Sequence, residues 1–293
     1  MPIELSQFRK NLLYAVQAPL VNVMHDLQTL SEIDSLAERQ QKKYGKQALF
    51  SFIGGIVLFI FAIVVSDKGG IAIALFFTTL ALLIFSIYAL VRRSKFKHLN
   101  IGNYRYNLTK QVVQMLARDM DTASIFDINL SFQAIEKKEH LISTNSHPHK
   151  SGWKIDSFLH EWLIIKSQFL DKTRFELRLT GMAKKQYGWK RGSSGKSKYK
   201  SKSKSGGLDI DLSLTYPQRR YGAVKIFKNE INDAIKLPQT SILRGLRVTE
   251  KAIQISVRLA PQFAEDEYAV YQTITSMFLS GYQVLNLAKL IAK

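Results

Sequence analysis

Residues 191–207 read RGSSGKSKYKSKSKSGG, and three chemistries compete for that stretch. Gly195, Lys196 and Ser197 form the end of a phosphate-binding loop, G-x-x-x-x-G-K-[ST], which needs a strand before it and a helix after it. Lys190 stands where the first glycine belongs, and the following KYKSKSKSGG has no apolar face with which to open a packed helix. A nucleotide-binding loop is therefore rejected. Lysine then recurs at every second position, at Lys196, Lys198, Lys200, Lys202 and Lys204. In an extended chain, side chains two apart share a face, so these five would form one row about 27 Å long. With Lys184, Lys185, Lys190 and Arg191 they make nine cations between 184 and 204, and that interval holds no acid.

If GSSG (192–195) is a four-residue hairpin loop, Arg191 opposes Lys196. Leu179 then faces Leu208, Leu177 faces Ile210 and Phe175 faces Leu212, so the apolar faces coincide as register demands. The same register sets Tyr187 opposite Lys200 and Trp189 opposite Lys198, on the face of the lysine row. Lysines interleaved with aromatics suit phosphates with stacked bases, or an anionic lipid interface. The candidate polyanion-binding set is Tyr187, Trp189, Lys190, Arg191, Lys196, Lys198, Lys200, Lys202 and Lys204. The plainer reading is a solvated Lys/Ser-rich loop over 183–207, kept open by its own charge. The two agree if the loop orders on a partner: nucleic acid, anionic lipid or an acidic protein.

Glu176, Asp209 and Asp211 are a second candidate group. The assumed register sets Glu176 opposite Asp211, a like-charge pair that a divalent cation would relieve. It sets Arg178 opposite Asp209, an ordinary cross-strand ion pair. A solvated sheet face is the simpler account, and a metal-dependent hydrolase on these three ranks last among the readings. His147 and His149 in NSHPHK, with His140 and His160 nearby, lack an acid within the short motif, where zinc needs three or four converging ligands. HEW at 160–162 lacks the second histidine of a zincin helix. There is no cysteine for a thiolate site, a disulfide or a nucleophile, no nucleophile elbow and no Gly-rich dinucleotide turn. No cofactor, metal or enzymatic activity is expected.

The elements that carry these residues begin in a membrane pattern. ALFSFIGGIVLFIFAIVVS (48–66) and IAIALFFTTLALLIFSIYALV (71–91) are 19 and 21 residues without a charge. About 20 apolar residues cross a bilayer as a helix, and a turn at Asp67–Gly70 makes the two a hairpin. Arg39, Lys42, Lys43 and Lys46 precede it, Arg92, Arg93, Lys95 and Lys97 follow it, and Lys68 alone sits in the turn. The positive-inside rule then predicts both termini in the cytoplasm. Neither span carries an ionisable side chain apart from the Tyr88 phenol, which favours an anchor over an ion relay.

Residues 1–47 read as an amphipathic helical segment, with Phe8, Leu12 and Val16 at helical spacing and a kink or restart at Pro19. Val16, Leu20, Val23, Leu27 and Leu30 also fit a short heptad seam, making Leu20, Val23, Leu27 and Leu30 candidates for self-association, with packing inside the chain as the alternative. After a basic linker (92–102), a helix with Tyr104, Leu108, Val112 and Met115 on one face opens an α+β domain over 103–262. FDINLSFQA, RFELRLTG, LDIDLSLTY and AIQISVRLA alternate as half-buried strands, SFLHEWLIIKSQF is apolar on both faces, and INDAIKLP adds a helix near 235. An amphipathic helix over 263–293 closes the chain, with Val270, Ile274, Met277, Val284 and Ile291 at helical spacing.

The fold class expected is α+β: an N-terminal amphipathic helix, a two-helix transmembrane hairpin and a cytoplasmic antiparallel sheet flanked by helices. The net charge of +19, from 42 Lys and Arg against 23 Asp and Glu, suits anionic partners and cytoplasmic flanks alike. The leading functional expectation is a non-enzymatic membrane protein, in contact with membrane lipid, that binds a partner or polyanion and forms a homo-oligomer. Its rival is a ligand-gated pore or membrane-perturbing effector built from the same hairpin.

Overall fold

In the computed structural model, residues 8, 10–65, 69–99, 101–121, 123–222, 224 and 235–291 are described. The chain is α+β and divides into two compact units: Met1–Leu27 with Tyr104–Lys293, and Gln28–Asn103.

The second unit is a long helix pair. Helix α1 spans Leu20–Val64 and α2 spans Gly69–Leu99, and both are long and apolar enough to cross a membrane. Small residues let the two helices approach: a Cβ on Gly55 would lie 3.6 Å from Leu83, and the buried Ser86 hydroxyl donates to the Ala48 carbonyl at 3.1 Å. The outward faces are apolar, with Phe50, Phe52, Phe59, Phe76, Phe77 and Phe85 exposed. Below the apolar stretch, Tyr44 stacks on Phe96 with ring centroids 5.7 Å apart, and the Arg92 guanidinium lies 5.8 Å from the Tyr44 ring centroid. The turn at Asp67 falls partly outside the described residues, and Gly69 and Gly70 already belong to α2.

The first unit is built on an eight-stranded antiparallel sheet. Its strands are β1 (Leu13–Pro19), β2 (Ile125–Ser131), β3 (Leu141–Ser146), β4 (Lys154–Gln168), β5 (Arg174–Arg191), β6 (Ser197–Thr215), β7 (Ser241–Val248) and β8 (Ala252–Leu259). The order is β1-β2-β4-β5-β6-β8-β7, with β3 also paired to β4. Alternate residues of each central strand are buried: Phe126, Ile128 and Leu130; Leu163 and Ile165; Leu177 and Leu179; Leu208, Ile210, Leu212 and Leu214; Ile253, Ile255 and Val257. Helices α3 (Asn103–Leu116) and α5 (Glu267–Ile291) complete this core. Leu108 and Val112 are buried on α3, and Val270, Ile274, Met277 and Val284 on α5, as the helical spacing predicts. A Thr275 hydroxyl on α5 meets the Met115 sulfur of α3 at 3.1 Å.

A short helix α4 (Gln218–Tyr221) follows β6. The β4–β5 connection is fastened beneath it by Asp171, which accepts from the backbone N–H and hydroxyl of Thr173 at 2.8 and 2.9 Å, from Tyr221, and from Tyr282 on α5 at 3.3 Å. Burial pushes the Asp171 carboxyl up, but the hydroxyl of Tyr221 and the two Thr173 donors outweigh it and hold it below the ordinary value.

The structure bears on three expectations and corrects the first and third. Residues 1–47 are not one helical segment, because Leu13–Pro19 is an edge strand paired with β2, Val16 opposite Ile128. Tyr14, Val16 and Ala18 also alternate with period two, and sheet pairing decides between the patterns. The helix does begin directly after Pro19, but it runs without a break through the supposed boundary at 47/48. Second, Val23, Leu27 and Leu30 are fully buried within a single chain, with Leu20 partly so. That burial fits the alternative of packing inside the chain. Third, β1, β3 and β7 are strands the alternation did not single out. The helix expected at INDAIKLP lies mainly outside the described residues, and 235–238 carry no regular structure.

Candidate polyanion-binding hairpin

The Lys/Ser-rich stretch is not a loop. It is the distal half of the β5–β6 hairpin, paired without a gap from Ala183↔Ser205 to Arg191↔Ser197. The turn closes by Gly192 N–H to the Lys196 carbonyl at 2.9 Å and Gly195 N–H to the Gly192 carbonyl at 3.0 Å. Three residues, Ser193–Gly195, therefore make the loop, and Gly195 has a φ of +76°. That is the three-residue hairpin in which a residue in the left-handed region completes the turn.

Because the loop is not GSSG, the register slips by one and the side-chain faces exchange. Lys190 opposes Lys198, Gly188 opposes Lys200, Gln186 opposes Lys202 and Lys184 opposes Lys204. Trp189 opposes Tyr199, and Tyr187 opposes Ser201. So Tyr187 and Trp189 do not share the lysine face, as the four-residue loop required. They lie on the other face with Tyr199, whose ring centroid is 5.7 Å from that of Trp189 and 6.2 Å from that of Tyr187. Trp189 and Tyr199 are 65% and 54% exposed. Arg191 falls on this aromatic face, and Lys196 on the lysine face.

A bulge at the root of this arm sets the second shift. Between Met182 and Ala183 the register changes, and β6 carries one extra residue, Gly206. Gly207 has a φ of +108°, and a Cβ there would lie 2.5 Å from the Leu259 carbonyl oxygen, so only glycine fits. Below the bulge the pairing is Leu179↔Ile210, Leu177↔Leu212 and Phe175↔Leu214, two residues from the expected pairs, which restores the shared apolar face. β8 pairs β6 only from Leu208 onward, so the distal half of β6 is an open edge.

The arm has no core, and an isolated two-stranded ribbon is marginal in water. Its order comes from the sheet that templates it, from the three clustered rings, and from Trp153. The Trp153 ring packs on Gly188, where a Cβ would fall 2.6 Å from the indole, and its Nε1–H donates to the Trp189 carbonyl at 3.0 Å. Lys150 Nζ lies 4.5 Å from the Trp153 ring centroid. Trp153 and Lys150 join the lysine face, and sequence reasoning missed both. The one signal was a glycine amid bulky residues in YGWK, which marks a close approach.

Electrostatically the arm is uncompensated. Lys185 pairs with Glu136 at 3.0 Å. Lys184, Lys190, Arg191, Lys196, Lys198, Lys200, Lys202 and Lys204 have no ion-pair partner among the described residues. Lys190–Lys198 and Lys184–Lys204 are like charges set directly across the strands, an arrangement that opposes pairing.

Two carboxylates of the second candidate group, Glu176 and Asp209, are already paired with cations, and the third, Asp211, is hydrogen-bonded. Glu176 faces Ser213, not Asp211, and pairs with Arg178 at 2.5 Å and Lys166 at 3.5 Å. Arg178 faces Asp211, not Asp209. Asp209 takes a bidentate bond from Arg258, and Asp211 accepts from Ser256 at 2.5 Å. Among the described residues no cluster of three metal-binding side chains occurs. His147 and His149 sit in the β3–β4 turn with ring centroids 6.2 Å apart. His160 is buried, stacks on His140 and meets the Ser131 hydroxyl at 3.0 Å. Burial, with His140, Arg105 and Lys137 nearby, pushes its pKa down to about 3, which keeps it neutral.

Set against protein families, curated proteins and solved structures, the chain matches none.

Proposed function

We propose that this chain is a non-enzymatic integral membrane protein, anchored by α1 and α2 with both termini in the cytoplasm, whose sheet domain binds polyanions through the distal β5–β6 arm. The observation that carries this is the opposition of Lys190 to Lys198 and Lys184 to Lys204 on an ordered ribbon, four cations without an ion-pair partner among the described residues. Such a ribbon gives up stability for charge that a phosphate polymer or anionic surface would neutralise.

The helix pair supports an anchor over a pore. Its hydroxyls are spent within the pair: Thr78 and Thr79 bond the Leu75 carbonyl, Ser51 the Gln47 carbonyl and Ser86 the Ala48 carbonyl. Each of these hydroxyls has its one donor committed to a backbone carbonyl, leaving lone pairs alone to face water. The test uses inorganic polyphosphate on the detergent-solubilised full chain. Affinity falls linearly in log–log form with salt, by roughly 0.7–0.9 per phosphate neutralised. Deleting residues 192–205 abolishes binding and leaves the fold intact. Unaltered affinity after the deletion refutes the reading.

A further inference from the structure

Resting on the polyanion reading, we infer that the arm's partner is an anionic membrane surface, met with the Trp189, Tyr199 and Tyr187 rings in the lipid interface and the lysines reaching headgroup phosphates. The register decides against the other polyanion source. Proteins that hold single-stranded nucleic acid combine cations and stacking rings along one groove. Here the pairing Trp189↔Tyr199 and Lys190↔Lys198 sends the rings to one face and seven lysines to the other, leaving on the ring face Arg191 and Lys185, of which Lys185 is paired with Glu136. One strand of nucleic acid cannot use both. The single indole on the lysine face, Trp153, is already occupied, with Gly188 against its ring and Lys150 over it.

A bilayer interface asks for this separation. An amphipathic element with a lysine-rich polar face and aromatics opposite lies in the plane of the interface, rings inward. Tryptophan and tyrosine favour that depth. The ribbon is one layer thick, and lysine stems are long enough to bend toward phosphates from the far face. Trp189 and Tyr199 stand clear because their neighbours Ser197 and Ser201 are small, whereas Tyr187 behind them is half-buried, its hydroxyl donating to Asp156 at 3.2 Å. Each cation adjoining an anionic leaflet adds to the attraction, so the effect accumulates along the row. The same chain carries two helices of bilayer-spanning length, which supplies the surface without a second partner.

The experiment places the full chain in nanodiscs of phosphatidylcholine, with or without phosphatidylserine, and adds vesicles of the same two compositions. Brominated acyl chains are put in the disc in one series and in the vesicles in the other, so docking on the same or an opposing bilayer is read separately. Quenching of tryptophan emission that requires phosphatidylserine and disappears in Trp189→Phe supports the inference. Replacing Lys198, Lys200 and Lys202 with Gln then weakens the interaction by roughly fivefold per lysine. If phosphatidylserine leaves emission unchanged while single-stranded oligothymidylate or polyphosphate still binds the arm, the membrane inference is overturned and the polyanion reading survives. If neither lipid, oligonucleotide nor polyphosphate binds, both fall.

Discussion

The two halves of the β5–β6 hairpin use the same two strands and the same alternation, yet they do opposite things. Below the bulge, Leu177, Leu179, Ile210 and Leu212 are fully buried. The other face there is a ladder of matched charges, Glu161–Arg178–Glu176–Lys166 and Asp209–Arg258. Above it, every residue from Trp189 to Lys204 is exposed and almost every cation lacks an acid. Selection for stability alone explains the lower half, where burial and ion pairing agree. In the upper half the opposed and unpaired lysines work against the fold, held by the ring cluster, the Trp153 contact and the glycine turn, and such inconsistency marks a functional segment. Gly206 and Gly207 form the border between the two regimes.

The comparison is broken most severely from below. Leu177→Ala removes a fully buried side chain from the centre of the sheet, and a loss of about 2–5 kcal/mol is expected in thermal or denaturant unfolding of the solubilised chain. An equal loss from Trp189→Ala would erase the distinction between halves. The border itself is tested by Gly207→Ala. Its φ of +108° and the 2.5 Å approach to the Leu259 carbonyl make any side chain strained, at a cost of roughly 1–3 kcal/mol. The same substitution at Gly192, away from the bulge, should cost far less.

Much of the lower half was legible. Alternation in RFELRLTG and LDIDLSLTY names the correct buried residues because one face of each strand is committed to the core. The register was not legible, for a local reason. GSSG looks like a complete four-residue loop, but Gly195 takes the left-handed position of a three-residue turn and Lys196 folds back onto Gly192. One residue of slip moved Tyr187 and Trp189 to the other face, which changed the partner the arm suits. The bulge at Gly206 then realigned the lower half, so the two errors had separate causes. At the other end of the chain, Phe8 lies in a helical turn closed by the Leu12 N–H to the Phe8 carbonyl at 2.8 Å, and only Val16 is in the strand; positions four apart are in phase in both helix and strand, so the spacing runs on across the change. Only pairing with β2 distinguishes them.

A third, smaller effect sharpens the contrast between paired and unpaired charge. Asp171 is a carboxylate whose folded pKa is depressed, so it stabilises the fold above its ordinary value of about 3.8 and loses that contribution as pH falls through the folded value. Asp171→Asn should cost roughly 1 kcal/mol at neutral pH, where the charged acceptor is lost to the Tyr221, Tyr282 and Thr173 donors. The difference from the parent chain should close as the solution is acidified below that range. A gap independent of pH would mean that shape, not charge, is what Asp171 contributes. The distal arm brings no carboxylate of its own, since the interval from 184 to 208 contains none, and Glu136 from outside it pairs with Lys185 alone among its cations, at 3.0 Å.

The smallest effect on stability carries the most information about the arm. Replacing Lys198, Lys200 and Lys202 with Gln removes charge from side chains that bury nothing, and surface changes of this kind stay within about 0.5 kcal/mol. Relief of the Lys190–Lys198 opposition should make the sign favourable, so the variant unfolds at or slightly above the parent temperature. Its salt dependence on polyphosphate should meanwhile drop by roughly two to three units of log–log slope, one share for each lysine lost. An edge strand offers a competing use for the same residues, because lysines on an open edge block pairing with other chains. The distal half of β6 is such an edge, and the two uses separate cleanly in this variant. If the lysines guard the edge, the Gln chain self-associates at raised concentration while its polyphosphate affinity and slope stay as they were. If they bind, the slope falls and the chain remains dispersed. Edge protection needs charge on the open strand alone, whereas Lys190 and Lys184 sit on the paired strand opposite Lys198 and Lys204, so the slope is the quantity expected to move.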